Sequence, residues 1–215
     1  MRQHFSGQLE KMRVDLTDLC SLTETAIDYA TRALLDTDLG ASEACADVDT
    51  DIDYRAQELD HRAVTLIALQ APVAQDLRAL ISCIHNIGDL RRMGTLAAHI
   101  AEVARLHFPA SVVPGELRGV ISKMGVAAKA QAAAATEVLR DRDCDLALEL
   151  IQADARTDAL LRELFAVTKS DDWLYGAASA VNITLLGRFY ERFCDHTVAV
   201  GRNVIFVATG DFPVE

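Results

Sequence analysis

The chain carries one acidic pattern twice. Asp36-Thr37-Asp38 resembles Asp141-Arg142-Asp143 at a shift of 105 residues, and the same shift carries Asp49 to Asp154, Asp53 to Asp158 and Glu58 to Glu163. Further on, Leu90-Arg91-Arg92-Met93-Gly94-Thr95 resembles Tyr190-Glu191-Arg192-Phe193-Cys194-Asp195 at a shift of 100. Self-similarity at a fixed period marks a duplicated structural unit, so both halves must fold alike and bury their apolar faces together. The spacing predicts units at 1–109 and 110–215 that form one compact domain, with the drop in shift assigned to a longer loop at 69–75 in the first.

Each unit is helical. Apolar residues recur every three or four positions, and only 4 prolines and 11 glycines interrupt them. Helices are expected at about 8–37, 42–69, 73–107, 115–141, 144–167 and 173–208. Gly40 and Ser42 should stop one helix and cap the next, Pro72 and Pro114 lie near helix starts, and Ser170-Asp171-Asp172 offers capping oxygens. No long period-two alternation suggests a sheet. The expected fold is all-α: a six-helix bundle made of two tandem three-helix repeats.

Several acids stand on apolar faces. Between 144 and 167 the apolar arc holds Leu146, Leu150, Ile151, Leu160, Leu161, Leu164 and Phe165, and Asp154 and Asp158 fall inside it. Glu191 and Asp195 repeat the pattern on the last helix. Like charges one turn apart repel, and burial demands a proton or a cation. These four carboxylates are therefore expected to face one another across a dry seam. Oxygen donors of this kind suit magnesium, manganese, calcium or iron. Local ion pairing is the alternative: Arg188 and Arg192 flank Glu191 and Asp195, and Arg162 follows Asp158 by one turn. The first unit has Asp49 and Asp53, with Asp60 further along the same face, but Arg91 and Thr95 stand where the second has Glu191 and Asp195. Arg91 is expected to supply the missing positive charge to Asp49 or Asp53.

Charge narrows the partners. A net charge of -11 disfavours nucleic acid and anionic membranes. Residues 1–13 hold no apolar signal core, and no apolar run approaches the roughly 20 residues of a membrane span. Cys20, Cys45, Cys83, Cys144 and Cys194 form no Cys-x-x-Cys pair and read as reduced thiols, so the expected location is cytoplasmic.

Catalytic signals are sparse. Glu58 and His61 have the Glu-x-x-His spacing of di-iron carboxylate enzymes, but Ala166 stands opposite His61 in the repeat. His85 and His99 read as structural, and His196 points about 100° away from Asp195. Gly88, Gly94 and Gly187 form no phosphate loop and instead permit close helix approach. Arg78 and Arg92 are explained by pairing with Asp76 or Asp89 as readily as by binding phosphate.

Asp89-Leu90-Arg91-Arg92-Met93-Gly94-Thr95 resembles the Asp-Leu-Glu-Arg-Ile-Gly-Asp motif of the PhoU family of phosphate-regulon regulators. Glu191-Arg192-Phe193-Cys194-Asp195-His196 resembles that family's second copy, Glu-Arg-Ile-Ala-Asp-His. Residues 66–78 resemble its Leu-Leu-Ala-Leu-Arg-Gln-Pro-Val-Ala-x-Asp-Leu-Arg signature, and 204–210 its ending. The resemblance implies a six-helix, usually homodimeric bundle that damps phosphate-starvation signalling without catalysis. It implies contact with the ATPase subunit of a phosphate ABC transporter and with a sensor histidine kinase. It further implies metal, iron or zinc in some members, on the acidic pairs: here Asp154, Asp158, Glu191 and Asp195. In the first repeat Asp49 and Asp53 remain, while Arg91 and Thr95 depart from the pattern.

Overall fold

A computed structural model describes residues 2–213; the outermost residues of the two expected units, Met1, Val214 and Glu215, lie outside the described residues. The described residues form six long helices: α1 (Arg2–Asp36), α2 (Leu39–Gln70), α3 (Ala74–His107), α4 (Arg118–Asp141), α5 (Cys144–Thr168) and α6 (Gly176–Thr209). No strand occurs among the described residues. A 3-10 turn, Gly115–Leu117, leads into α4 where the periodicity suggests a full helix start.

The duplication reaches the backbone. Thr37 and Arg142, one repeat apart, both adopt left-handed φ values, 55° and 56°. The next residue in each case is an extended N-cap: Asp38 accepts from Ala41 N–H, and Asp143 from the amides of Asp145 and Leu146. A short acidic side chain satisfies amides that the first helical turn leaves open. Asp38 therefore does the capping assigned above to Gly40 and Ser42. Ser42 is instead buried, donating from Oγ to Ala101 O of α3 at 3.0 Å. Similarly, α6 begins at Gly176 without a side-chain cap, and Ser170 Oγ accepts only from Asp172 N–H. The extra length of the first unit lies in helix, not loop. α2 has 32 residues against 25 in α5, and three residues connect α2 to α3 where seven connect α5 to α6.

Within each unit consecutive helices run antiparallel, and the units join through α1 on α4 and α3 on α6. Arg118 reaches Asp36 at one end of the α1–α4 pair (3.1 Å), and Arg13 Nη1 donates to Arg140 O at the other (2.7 Å). α3 and α6 are also antiparallel, bonded by His107–Asn182 near one end and by Asn86–Asn203 near the other. The inner helices α1, α3, α4 and α6 thus enclose the core, while α2 and α5 cover its two sides. Leu19, Ile27, Leu90, Leu96, Ile100, Tyr190 and Phe193 are fully buried. A polar network crosses the second unit: Thr197 Oγ1 donates to Gln131 Oε1 (2.8 Å), and Gln131 Nε2 donates to Thr157 Oγ1 (3.2 Å).

The α1–α4 contact is tight enough to require glycine. A Cβ at Gly125 would lie 2.7 Å from Thr31 Oγ1 and 3.1 Å from its Cβ. Thr31 cannot easily yield, because its hydroxyl bonds Ile27 O (2.8 Å) and the buried Tyr190 hydroxyl (2.9 Å). Helix propensity favours Gly125→Ala by about 0.8 kcal/mol, whereas overpacking costs about 1–3 kcal/mol. The overlap wins: Gly125→Ala should lower the thermal midpoint by several degrees, while Gly119→Ala, with open space around its site, should not.

Candidate metal centre

Buried positions on α5 follow a three-four rhythm through Ala147, Leu150, Thr157, Leu161, Leu164 and Thr168. Asp154 continues that rhythm and is half-buried; Asp158 lies one step off it and is exposed. α6 does likewise, with Glu191 9% exposed and Asp195 on the open side. The expected dry seam is therefore a groove, with Asp154 and Glu191 inside and Asp158 and Asp195 on its rim. A helical wheel places both pairs in one arc; the packing separates them because members of a pair still differ by about 40° around the helix, enough to cross the edge of the buried stripe.

The acids nonetheless act on one another across α5 and α6. Burial, then the charges of Asp195 and Asp158, push the Asp154 carboxyl up to about 6, while Arg202 opposes this. Burial raises Glu191 above the usual carboxylate range, with Asp195 adding to it, even though Arg188 Nη1 donates to Glu191 Oε1 at 2.6 Å. Burial and Asp158 raise Asp195 despite His196, Arg188 and Arg192. Arg162 bonds the Asp158 backbone carbonyl (3.2 Å), not its carboxylate. Two oxygens are buried without a hydrogen-bond partner, Asp154 Oδ1 and Glu191 Oε2. Such atoms favour a proton or a cation beside them. In the present rotamers no three His, Cys, Asp or Glu side chains among the described residues converge as a ligand set.

The first repeat has solved the same problem internally. Asp49, on the α2 core rhythm, is half-buried, and its carboxyl is raised by burial and by Asp53. Arg91 of α3 reaches across to Asp53, donating from Nε at 2.8 Å and also from Nη2. Gln57 Nε2 donates to the other Asp53 oxygen at 2.6 Å. Thr95 turns its hydroxyl back onto Arg91 O (3.1 Å). Gly94 lets the helices meet, since a Cβ there would stand 2.8 Å from Asp49 Oδ1.

The remaining candidates are dispersed. Asp60, Glu58 and His61 are exposed on α2. His85 is exposed, and His99 packs against Phe189 at 5.3 Å between ring centres. Asp89 pairs with His196 Nδ1 across the α3–α6 seam at 2.9 Å, rather than with Arg92. That pair was not legible in sequence, because its residues lie 107 positions apart and belong to different repeats. The thiols of Cys20, Cys45, Cys83 and Cys194 are buried, and burial pushes Cys20 up to about 11 and the other three to about 12.

The sign of the pH effect follows from Asp154. Its folded pKa of about 6 exceeds the ordinary 3.8. The stability it contributes is full below the lower value and lost as pH rises through the upper one. Glu191 and Asp195 act in the same direction. With chelator present, Asp154→Asn should raise the thermal midpoint at pH 7.5, and the gain should fade as pH falls below about 5. Equal gains at both pH values would show that burial and the neighbouring acids do not raise the Asp154 carboxyl.

The PhoU domain model matches residues 16–104 and again 121–204. The phosphate-specific transport system accessory protein PhoU homolog 1 of Mycobacterium leprae is 42% identical over 213 residues, covering 99% of this chain and 96% of its own. PhoU homolog 2 of Mycobacterium tuberculosis is 41% identical, covering 99% of this chain and 100% of its own. The crystal structure of PhoU from Pseudomonas aeruginosa superposes with a TM-score of 0.86 at 27% identity, covering 96% of this chain and 100% of that one. With two copies of the domain filling most of its length and full-length relatives above 40% identity, the chain belongs to the PhoU family.

Proposed function

We propose that this protein is a cytoplasmic, non-enzymatic accessory regulator of phosphate uptake. It damps phosphate-starvation signalling by contact, linking the ATPase subunit of a phosphate ABC transporter to a sensor histidine kinase, and works as a homodimer. Family membership supports a role beside phosphate transport. The observation that carries the contact reading is where the charged residues lie. Asp158, Asp195, Arg91 and Arg92 sit on the open side of rigid helix seams, not within an enclosed cleft. Substrate sites are concave and largely enclosed, whereas a charged open groove meets a macromolecule. No helix among the described residues is long and apolar enough to cross a membrane, so contact with membrane partners is from outside the bilayer.

In the second repeat Asp154, Asp158, Glu191 and Asp195 would hold a divalent or ferric cation: iron, zinc, manganese or magnesium. The two partnerless oxygens and the raised carboxyls support this assignment. The cation would supply positive charge between α5 and α6. In the first repeat Arg91 supplies it, and Asp49 and Asp53 hold no metal.

Affinity capture from cells should recover the transporter ATPase and the kinase; capture of neither from phosphate-replete cells refutes the adaptor. Elemental analysis of untagged protein should find metal that survives dialysis. Replacing Asp154, Asp158 and Asp195 by Asn and Glu191 by Gln together should remove it, while Asp49→Asn with Asp53→Asn should not. Arg91→Glu with Thr95→Asp should raise the metal content. Unchanged metal in the fourfold variant rules out the second-repeat site.

A further inference from the structure

Where the two units meet, one end of their seam is open. Leu9, Met12 and Leu16 of α1, Leu139 of α4, and Val204 and Val207 of α6 wall a cavity of about 440 Å³. Its floor is polar and deeply buried: Ser82, Asn86 and Asn203 are 2%, 3% and 6% exposed. Other buried hydroxyls have partners, most often a carbonyl of the preceding turn, as Thr136 with Ala132 O and Thr168 with Leu164 O. Ser82 does not, and among the described residues its Oγ is the one buried hydroxyl without a partner. Asn203 Nδ2 donates to Asn86 Oδ1 at 2.7 Å, which leaves the Asn86 amide N–H groups and the Asn203 carbonyl for another molecule.

The repeat supplies a control. At the shift of 100, Ser82 corresponds to Asn182 and Val207 to His107. In that equivalent junction, Asn182 Nδ2 donates to His107 Nε2 (3.1 Å), whose Nδ1–H donates to Val103 O (2.9 Å). The connector from α3 to α4 also passes there, burying Val112, Val113 and Leu117 in the core. One end is thus filled by the chain's own polar pair and apolar plug. At the other end the same kind of space retains an unused hydroxyl.

We propose that this cavity binds a small, neutral organic molecule with an apolar body and one amide or alcohol head, the head seated on Ser82 and the Asn86–Asn203 pair. The charges at the mouth balance one another, which favours a neutral guest over a simple anion. Arg13 and Arg142 are both engaged by Glu10, at 3.1 and 3.2 Å, and Asp76 stands among the lining residues. Apolar walls with a few convergent polar groups are the usual construction of a small-molecule site. Nothing in this assignment depends on metal or on the adaptor role.

The full-length protein, titrated with benzamide and followed by NMR shifts, should show saturable millimolar binding that perturbs Ser82, Asn86 and Val204. Toluene, lacking the head, and benzoate, carrying charge, should each bind more weakly. Ser82→Ala should weaken benzamide by about threefold to tenfold while leaving the melting curve intact. Ala79→Leu, filling the cavity from α3, should abolish binding; Val207→Phe fills it from α6 and serves if the first variant does not fold. The site is refuted by non-saturable benzamide shifts, by benzoate binding as tightly as benzamide, or by undiminished binding in a folded filled variant.

Discussion

Antiparallel packing of four inner helices, two from each repeat, is the constraint on which the rest of this molecule depends. α1 lies on α4 and α3 on α6, so α2 and α5, which carry Asp49, Asp53, Asp154 and Asp158, dock on a fixed surface of helices. The close approach is set by small residues, Gly125 against Thr31 and Gly94 against Asp49. Protein interiors pack at the density of organic crystals, so such contacts transmit displacement rather than absorb it. A groove between α5 and α6 therefore inherits its geometry from the entire bundle.

Duplication lets one scaffold meet the same electrostatic difficulty twice. Each unit places one aspartate on the core rhythm of its second helix, Asp49 or Asp154, and another one step outside, Asp53 or Asp158. In the first unit Arg91 binds Asp53 from α3. Both partners are about half exposed, so the pair is worth at most about 1 kcal/mol. Its value is in registering α3 against α2 and neutralising Asp53. In the second unit Arg188 serves only one oxygen of Glu191, and the other lies buried without a partner.

The helix spans, the repeat and its two shifts were legible because all are periodic in sequence. Even the 105-residue register held at the level of φ angles and caps, through Thr37 with Asp38 and Arg142 with Asp143. The pairing of Arg91 with an acid of α2 followed from the break in the repeat. What the wheel missed was rotation: Asp158 and Asp195 fall on the apolar arc of an isolated helix but outside the packed stripe. Which edge of an arc meets a neighbour depends on that neighbour. The Asp89–His196 pair and the cavity over Ser82 were invisible for the same reason, since both arise only where one repeat meets the other.

The two acidic grooves consequently differ in kind. α2 and α3 are tied by a guanidinium that keeps its charge at any physiological pH, so that tie needs no cation from solvent. α5 and α6 have carboxyls with raised affinity for protons and two oxygens left unsatisfied, so their tie depends on what the solvent supplies. A proton, or a cation of the proposed kind, would neutralise the same repulsion. Because α6 is also half of the α3–α6 seam, a change in that groove bears directly on the contact that holds the repeats together. A surface built this way can present a different charge to a partner without any rearrangement of the fold.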